Sequence, residues 1–142
     1  MTRREAALQA LEACLMTVAG ATVKRNDPLP TAAPAGGLII LRDGEPGVPF
    51  VTLSPPTWSW EHQAEVEVIV QKAPKIARIA GLDDLLSAIG TALAADRTLG
   101  GAIDHCEPGP PRAADIAIEG AASIKAASVT ITLFFDTSDP LA

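Results

Sequence analysis

The sequence predicts an α/β protein of the α+β kind: a mixed, mainly antiparallel sheet with two amphipathic helices packed on one face. Two segments carry apolar residues at helical spacing, and two others alternate apolar and polar residues. Long alternating strands are typical of antiparallel sheets with one face in water, and two amphipathic helices can cover the other face. No internal repeat or linker divides the 142 residues, so residues 1–142 are expected to form one domain.

The first predicted element is a helix that begins almost at the first residue. Thr2 is followed three residues later by Glu5, which is the spacing of a capping box. Gly20 is the predicted end of the helix, because glycine readily adopts the backbone conformation that stops one. The apolar residues that recur at steps of three and four are Leu8, Leu11, Leu15 and Val18.

A proline-rich segment, Lys24 to Gly37, has no periodicity and is predicted to be a long loop. Two short strands are then expected, joined by a hairpin turn at Asp43 and Gly44, because Asp-Gly is favoured in such turns. Pro46 and Pro49 favour a late start or an edge position for the second strand.

The clearest strand is "EHQAEVEVIVQ", residues 61–71, because its side chains alternate with a period of two. One face is predicted to be core and the other to be solvated. The inward set is His62, Ala64, Val66, Val68 and Val70, and the outward set is Glu61, Gln63, Glu65 and Glu67.

A second helix is predicted over "GLDDLLSAIGTALAADRTLGG". Asp83 and Asp84 would lie in its first turn, where the helix dipole favours acidic side chains. Gly100 and Gly101 would end it, and a short strand through Ile103 would follow. Its apolar stripe comprises Leu82, Leu85, Leu86, Ile89 and Leu93.

The last third of the chain is predicted to be a hairpin that turns near Gly120. Its second strand has an apolar and a polar face. The apolar face comprises Ala127, Val129, Ile131, Leu133 and Phe135, and the polar face comprises Ser128, Thr130 and Thr132.

Charge and cysteine content argue against several classes of function. The net charge is -6, and the 11 lysines and arginines are scattered, whereas a grip on nucleic acid phosphates needs clustered cations. Sequence-specific nucleic acid binding is therefore not expected. Cys14 and Cys106 are too few for a disulfide framework and are expected to be reduced thiols. No segment predicts a signal peptide or a membrane span, so a soluble cytoplasmic protein is expected.

The most reactive-looking stretch is Asp104, His105 and Cys106. A cysteine nucleophile needs a histidine base within hydrogen-bonding distance, but neighbouring residues on a strand point to opposite faces. The spacing therefore favours one buried and one exposed side chain over a catalytic pair. His62 could still approach Cys106 from another strand, although its pattern indicates a histidine at the edge of the core.

Other candidate residues have equally simple structural interpretations. Trp58 and Trp60 share one side of a strand and could either anchor an interface or cap the core. Glu61, Glu65 and Glu67 could bind a metal, but a solvated sheet face explains them, and the chain has no metal-binding or phosphate-binding loop motif. No cofactor and no metal are expected.

Several pieces, taken in order, resemble the phage tail terminator family, which includes proteins similar to minor tail protein U. They are "REAALQALEACL", "DGEPG", "WEHQAEVEVIVQ" and "LDDLLSAIGTALAADRTLGGAIDHCEPGPP". The last is the most specific, because a leucine-rich helix runs into "DRTLGG" and an acidic strand start. The resemblance extends from about Arg4 to Phe135. Prophages and gene transfer agents carry similar tail proteins.

This resemblance implies a structural protein without catalytic residues. Its copies would form a six-membered ring on the finished tail tube, end tube polymerisation and present a joint to the head connector. Expected partners are other copies of the chain, the major tail tube protein and the head–tail connector. The protein is expected in the cytoplasm during assembly and in the tail of the finished particle. The interface residues expected from the loop, the predicted turn and the tryptophans are Pro28, Pro30, Asp43, Gly44, Trp58 and Trp60.

The alternative is a small-molecule-binding or catalytic α+β domain that uses His62, His105 and Cys106. It requires one of the histidines beside Cys106 in a concave pocket. A ring subunit requires flat, partly apolar surfaces at its edges.

Overall fold

The computed structural model describes residues 1–116 and 123–142, which form two helices and seven strands. The helices are α1 (Arg3–Leu15) and α2 (Lys75–Ala95). The strands are β1 (Thr22–Arg25), β2 (Leu38–Glu45), β3 (Phe50–Leu53), β4 (Pro56–Gln71), β5 (His105–Pro108), β6 (Arg112–Ile116) and β7 (Ile124–Thr137).

All seven strands belong to one sheet with the order β1-β2-β4-β7-β5. Strand β3 pairs with β4, and β6 pairs with β7. Only β1 and β2 are parallel among the described strand pairs, and the others are antiparallel. The predicted fold class, a mixed and mainly antiparallel sheet with two helices, is confirmed.

Both helices pack on the same face of this sheet. The predicted inward sets of β4 and β7 are buried, with each residue at most 6% exposed. Leu8, Leu11, Leu15 and Val18 are buried against them, as are Leu82, Leu85, Ile89 and Leu93, whereas Leu86 is half-buried at the margin. The periodicities of both helices and both long strands therefore identified the core correctly.

Helix α1 begins as predicted but ends earlier than expected. The Thr2 hydroxyl accepts a hydrogen bond from the Glu5 backbone N–H at 3.2 Å, which caps the helix. The helix ends at Leu15, with Met16 as its C-cap, and not at Gly20. Gly20 instead has a φ of +79° in the turn that leads into β1. This turn, and not the end of the helix, requires the backbone freedom of glycine.

The hairpin predicted at Asp43 and Gly44 is wrong. Strand β2 continues through both residues and pairs with β4, with Arg42 opposite Glu65 and Glu45 opposite Gln63. One extra residue on β2 makes this a β-bulge, and Gly44 with a φ of +70° supplies the left-handed backbone that such bulges use. The true hairpin joins β3 to β4, and β3 starts directly after Pro49, as the prolines predicted.

Helix α2 is longer at its start than the sequence indicated. It begins at Lys75, after Pro74, so Asp83 and Asp84 lie in the middle of the helix and not in its first turn. It ends at Ala95 and not at Gly100. The Asp96 carboxylate closes the following turn by accepting hydrogen bonds from the backbone N–H groups of Thr98 and Gly100 at 2.9 and 2.7 Å.

The short strand after α2 begins at His105, two residues beyond Ile103, which is buried in the preceding turn. The last third of the chain contains the predicted antiparallel pair, with Ile116 opposite Ile124. The turn predicted near Gly120 lies outside the described residues.

The segment predicted as one long loop contains strand β1, which pairs in parallel with β2. Residues further along it cover part of the sheet face that was expected to be wet. Ala33 packs there against a second apolar cluster, and its backbone N–H donates to Gln71 Oε1 at 3.0 Å. The cluster comprises Leu38, Ile40, Ile69 and Ile124, so this face is only partly solvated.

Among the described residues, no helix has both the length and the apolar character needed to cross a membrane.

Candidate functional site

Cys106 and His105 lie on opposite faces of β5. Cys106 is fully buried, whereas His105 is exposed and its Nε2 lies 2.7 Å from Glu107 Oε2. Burial raises the pKa of the Cys106 thiol above its usual value, which disfavours the reactive thiolate. The prediction that this stretch divides between core and surface is confirmed.

His62 does not reach Cys106 from the neighbouring strands. Both residues pair with Leu133 of β7, His62 from β4 on one side and Cys106 from β5 on the other. Two strand spacings separate them by about 10 Å, with the Leu133 side chain between. The catalytic alternative that used these residues together is therefore wrong, because no histidine stands beside the thiol.

His62 is instead a fully buried ring at one end of the core. Its Nε2 is hydrogen-bonded to the backbone carbonyl oxygen of Asp43 in the β2 bulge. Burial, helped by the positive charge of Arg4, lowers the pKa of His62, so the ring is neutral at physiological pH. It is a buried core histidine, as the period of β4 indicated.

The two tryptophans have different surroundings. The Trp60 indole N–H donates to Thr137 Oγ1 at 2.9 Å, and the ring packs against the margin of the core. Trp58 is half-buried where β7 ends, opposite Thr137. Trp60 thus packs at the margin of the core, and a role of either tryptophan at an interface stays a prediction.

Two of the three outward carboxylates of β4, those of Glu65 and Glu67, form contacts within the sheet. Glu65 accepts hydrogen bonds from Ser128 Oγ at 3.1 Å and Thr130 Oγ1 at 2.6 Å, and Glu67 forms a salt bridge with Arg42 at 2.9 Å. Within residues 1–116 and 123–142, no three side chains with metal-binding groups lie close enough to hold an ion.

Asp43 belongs to an internal ion cluster and not to a free turn. Arg25 of β1 donates two hydrogen bonds to the Glu5 carboxylate, at 2.7 and 2.8 Å, and one from Nε to Asp43 Oδ1 at 2.9 Å. The cluster ties α1 to β1 and β2. The Arg25 guanidinium lowers the pKa of Glu5 from 4.5 to about 2.

Replacing Glu5 with glutamine is expected to destabilise the fold in a pH-dependent way. The pKa of Glu5 is depressed by folding, so its stabilisation is complete above about pH 4.5 and is lost as the pH falls towards 2. Because the side chain is 34% exposed, we expect a loss of roughly 1–2 kcal/mol at pH 7 after solvent screening. Urea unfolding of wild type and Glu5→Gln at pH 7, 4 and 2.5 measures this.

The matched control is Glu12→Gln on the same helix, since the Glu12 side chain forms no ion pair with any described residue. Its cost at pH 7 should be smaller. A stability difference between wild type and Glu5→Gln that stays constant down to pH 2.5 would contradict the role of the ion cluster.

The surface feature that sequence reasoning missed is a hairpin with an exposed apolar strand. We call residues 48–59 the hairpin arm; Phe50 pairs with Ser59 and Leu53 with Pro56. Every residue of β3 is exposed, although its sequence is largely apolar. Val48 is 97%, Phe50 72% and Leu53 77% exposed. The signal was the apolar run "VPFVTL", which sequence reasoning treated only as an edge strand.

The remaining predicted contacts lie elsewhere. Pro28 is exposed and Pro30 half-buried in the segment between β1 and β2. Their role in an interface stays a prediction. Gly44 lies in the bulge, where its backbone is close to β4, and an interface role of Asp43 or Gly44 also stays a prediction.

No family model matches this chain, and no curated protein matches it. Among solved structures, a chain of the "Virion of native gene transfer agent (GTA) particle" matches this chain with a TM-score of 0.38 and 16% sequence identity. The match covers 94% of this chain and 94% of that chain.

Proposed function

We propose that this chain is a non-enzymatic structural protein of a phage-like particle, a tail terminator whose copies close as a ring on the tail tube. The sequence resemblance selects this assembly among those that a small α+β subunit could form. The single observation that supports it is the hairpin arm, which exposes apolar side chains that a monomer has no reason to expose.

The arm offers a free strand edge for a contact between successive subunits. Strand β3 pairs on one side with β4, and none of the described strands pairs with its other side. A free strand edge with exposed apolar residues is a natural site for association with another chain. A ring needs a contact between two different surfaces that closes on itself, and an exposed edge strand that docks on another surface of the next copy meets this need.

Charge would modulate this assembly. Each copy carries a net charge of -6, so like charges oppose association of the subunits. Added salt shortens the screening length to about 8 Å at physiological ionic strength, and ring formation is therefore expected to strengthen with salt. In this proposal the ring assembles in the cytoplasm, binds the tail tube protein on one side and meets the head connector on the other.

Light scattering of the purified protein tests the proposal. We expect a hexamer, either alone at high concentration and salt or after addition of purified tail tube protein. The double variant Phe50→Ser/Leu53→Ser should remain monomeric under the same conditions. Its free energy of unfolding should stay within about 0.5 kcal/mol of wild type, because both side chains are exposed.

The matched control removes two apolar side chains of similar exposure outside the arm. Leu29 is 57% and Ile76 80% exposed. Leu29→Ser/Ile76→Ser should assemble like wild type. A wild-type protein that stays monomeric in the presence of the tail tube protein would exclude the terminator function. Equal assembly of wild type and both double variants would exclude the arm as the contact between subunits.

A further inference from the structure

A patch of phenyl rings and carboxylates lies on the outer face of the sheet, at the end where β4 begins. Residues that pair directly across two strands point to the same face, as do residues two apart on one strand. The pairs at this end are Phe50 with Ser59, Ser59 with Asp136, and Glu61 with Phe134. Asp104 lines the same hollow between them. We call Phe50, Glu61, Asp104, Phe134 and Asp136 the end patch.

The hollow in the end patch is too small for a typical free ligand. Its volume is about 200 Å³, which lies below the range of small-molecule sites, roughly 300–1,000 Å³. Val48 forms one wall, and Ser59 lies on β4 between Phe50 and Asp136. The hollow is therefore suited to one projecting side chain of a protein partner.

The carboxylates of the end patch have no partner within the described part of the chain. Glu61, Asp104 and Asp136 are exposed and form no salt bridge there. No lysine or arginine of the described residues lines the hollow. Further along the same face, the carboxylates of Glu65 and Glu67 are bonded to neighbouring strands. The negative charge of the end patch is thus left for a cation from another molecule.

The phenyl rings of the end patch are open to solvent as well. Phe50 is 72% exposed, and Phe134 is half-buried. At the other end of this face Ala33 packs over the apolar residues, but no described segment covers Phe50 in this way. His105 borders Phe134 with ring centroids 6.1 Å apart, but its Nε2 is already bonded to Glu107 at 2.7 Å. This end of the face is therefore apolar, acidic and uncovered.

A guanidinium group fits both halves of this chemistry. Its paired N–H groups match the two oxygens of a carboxylate, and its flat face stacks on an aromatic ring. A lysine ammonium is a compact and strongly hydrated charge that cannot form the paired contact. The combination of carboxylates and phenyl rings around a small hollow therefore favours arginine over lysine.

We propose that the end patch binds a segment of a partner protein that presents an arginine side chain between apolar residues. The guanidinium enters the hollow, pairs with the carboxylates and stacks on a phenyl ring. The apolar neighbours of the arginine cover the exposed faces of Phe50 and Phe134. The inference does not rest on the proposed ring, and its salt dependence has the opposite sign, because salt screens the attraction between opposite charges.

NMR titration of the full chain with a short blocked peptide, acetyl-Leu-Arg-Leu-Arg-Leu-amide, tests this. The comparator carries citrulline at both arginine positions, which keeps the shape of the side chain but removes its charge. We expect the citrulline peptide to bind about tenfold more weakly, because charge-assisted hydrogen bonds are roughly twice as strong as neutral ones. Salt at about 1 M, where the screening length is about 3 Å, should remove most of the binding of the arginine peptide.

Two exposed residues of the end patch separate the two halves of the contact. Asp136→Asn removes one carboxylate charge, and we expect about fivefold weaker binding of the arginine peptide. Phe50→Leu keeps an apolar side chain but removes the aromatic face, and we expect about threefold weaker binding. The matched control is Asp84→Asn, the same change at an exposed carboxylate of α2 that does not line the hollow. It should bind the peptide as wild type does.

Backbone amide resonances locate the bound peptide. Those of Ser59 and Phe134 should shift during the titration, whereas that of Asp84 should not. The proposal is overturned if the arginine peptide does not bind up to millimolar concentration, or if the citrulline peptide binds as tightly. It is also overturned if Asp84→Asn weakens binding as much as Asp136→Asn does, or if neither Ser59 nor Phe134 shifts. Self-association of the chain that Asp136→Asn abolishes would assign the end patch to a second copy and overturn it as well.

Discussion

Replacing Gly44 with alanine is expected to lower the free energy of unfolding by roughly 2–4 kcal/mol. An added Cβ would lie 1.8 Å from the Gln63 carbonyl oxygen, a backbone atom of β4 that cannot rotate away. The residue also has a φ of +70°, which strains any residue with a side chain. The two strands would have to separate at the bulge. Urea unfolding at pH 7, followed by circular dichroism, gives the change in midpoint and slope.

Gly47→Ala separates the clash from the backbone strain. Gly47 has a similar φ of +68°, but an added Cβ would meet only the Glu61 carbonyl oxygen, at an ordinary 3.7 Å. Its cost should therefore be limited to about 1 kcal/mol of strain. Equal losses for the two variants would mean that the β2 bulge does not press against β4 as described.

The second large effect is expected from Leu133→Ala. Leu133 of β7 is fully buried, with His62 opposite on β4 and Cys106 opposite on β5. Truncation of its isobutyl side chain to a methyl group would leave a cavity in the core between the sheet and the helices. Comparable buried leucines cost about 2–5 kcal/mol when truncated. The same urea unfolding experiment measures the loss.

Leu53→Ala is the matched control for this variant, since it makes the same chemical change at a side chain that is 77% exposed. We expect a change within about 0.5 kcal/mol. If Leu133→Ala were no more destabilising than Leu53→Ala, this result would contradict the packing of β7 against the helices.

Long periodic segments were predictable because their pattern is set by burial on one face. The inward residues of β4, such as Val66, and of β7, such as Ile131, could be identified with no knowledge of the neighbouring strands. Strand β1 could not, since four residues are too few to establish a period and its stability comes from parallel pairing with β2. At Asp43 and Gly44 the sequence was ambiguous, because turns and bulges both require glycine at a positive φ.

In the candidate site, too, local features could be predicted from the sequence and tertiary ones could not. Alternation within β5 was enough to predict that Cys106 and His105 point to opposite faces. The separation of His62 from Cys106 depends on β7 lying between β4 and β5, and strand order is a tertiary property that neither segment encodes locally. A pocket of about 360 Å³ near His62 could not be predicted either, because its walls come from residues as distant in sequence as Arg4 and Phe135.

One side of β4 is shared by two strands: β2 occupies its second half, and β3 occupies its first half beyond the bulge. The core depends on the β2 half, where buried residues such as Leu41 lie, whereas β3 contributes no buried side chain. Substitutions of the β3 side chains can therefore accumulate with little loss of folding stability. Natural selection can alter what the arm recognises while the rest of the domain stays constant, so related proteins should differ most between Val48 and Leu53 and least around Gly44.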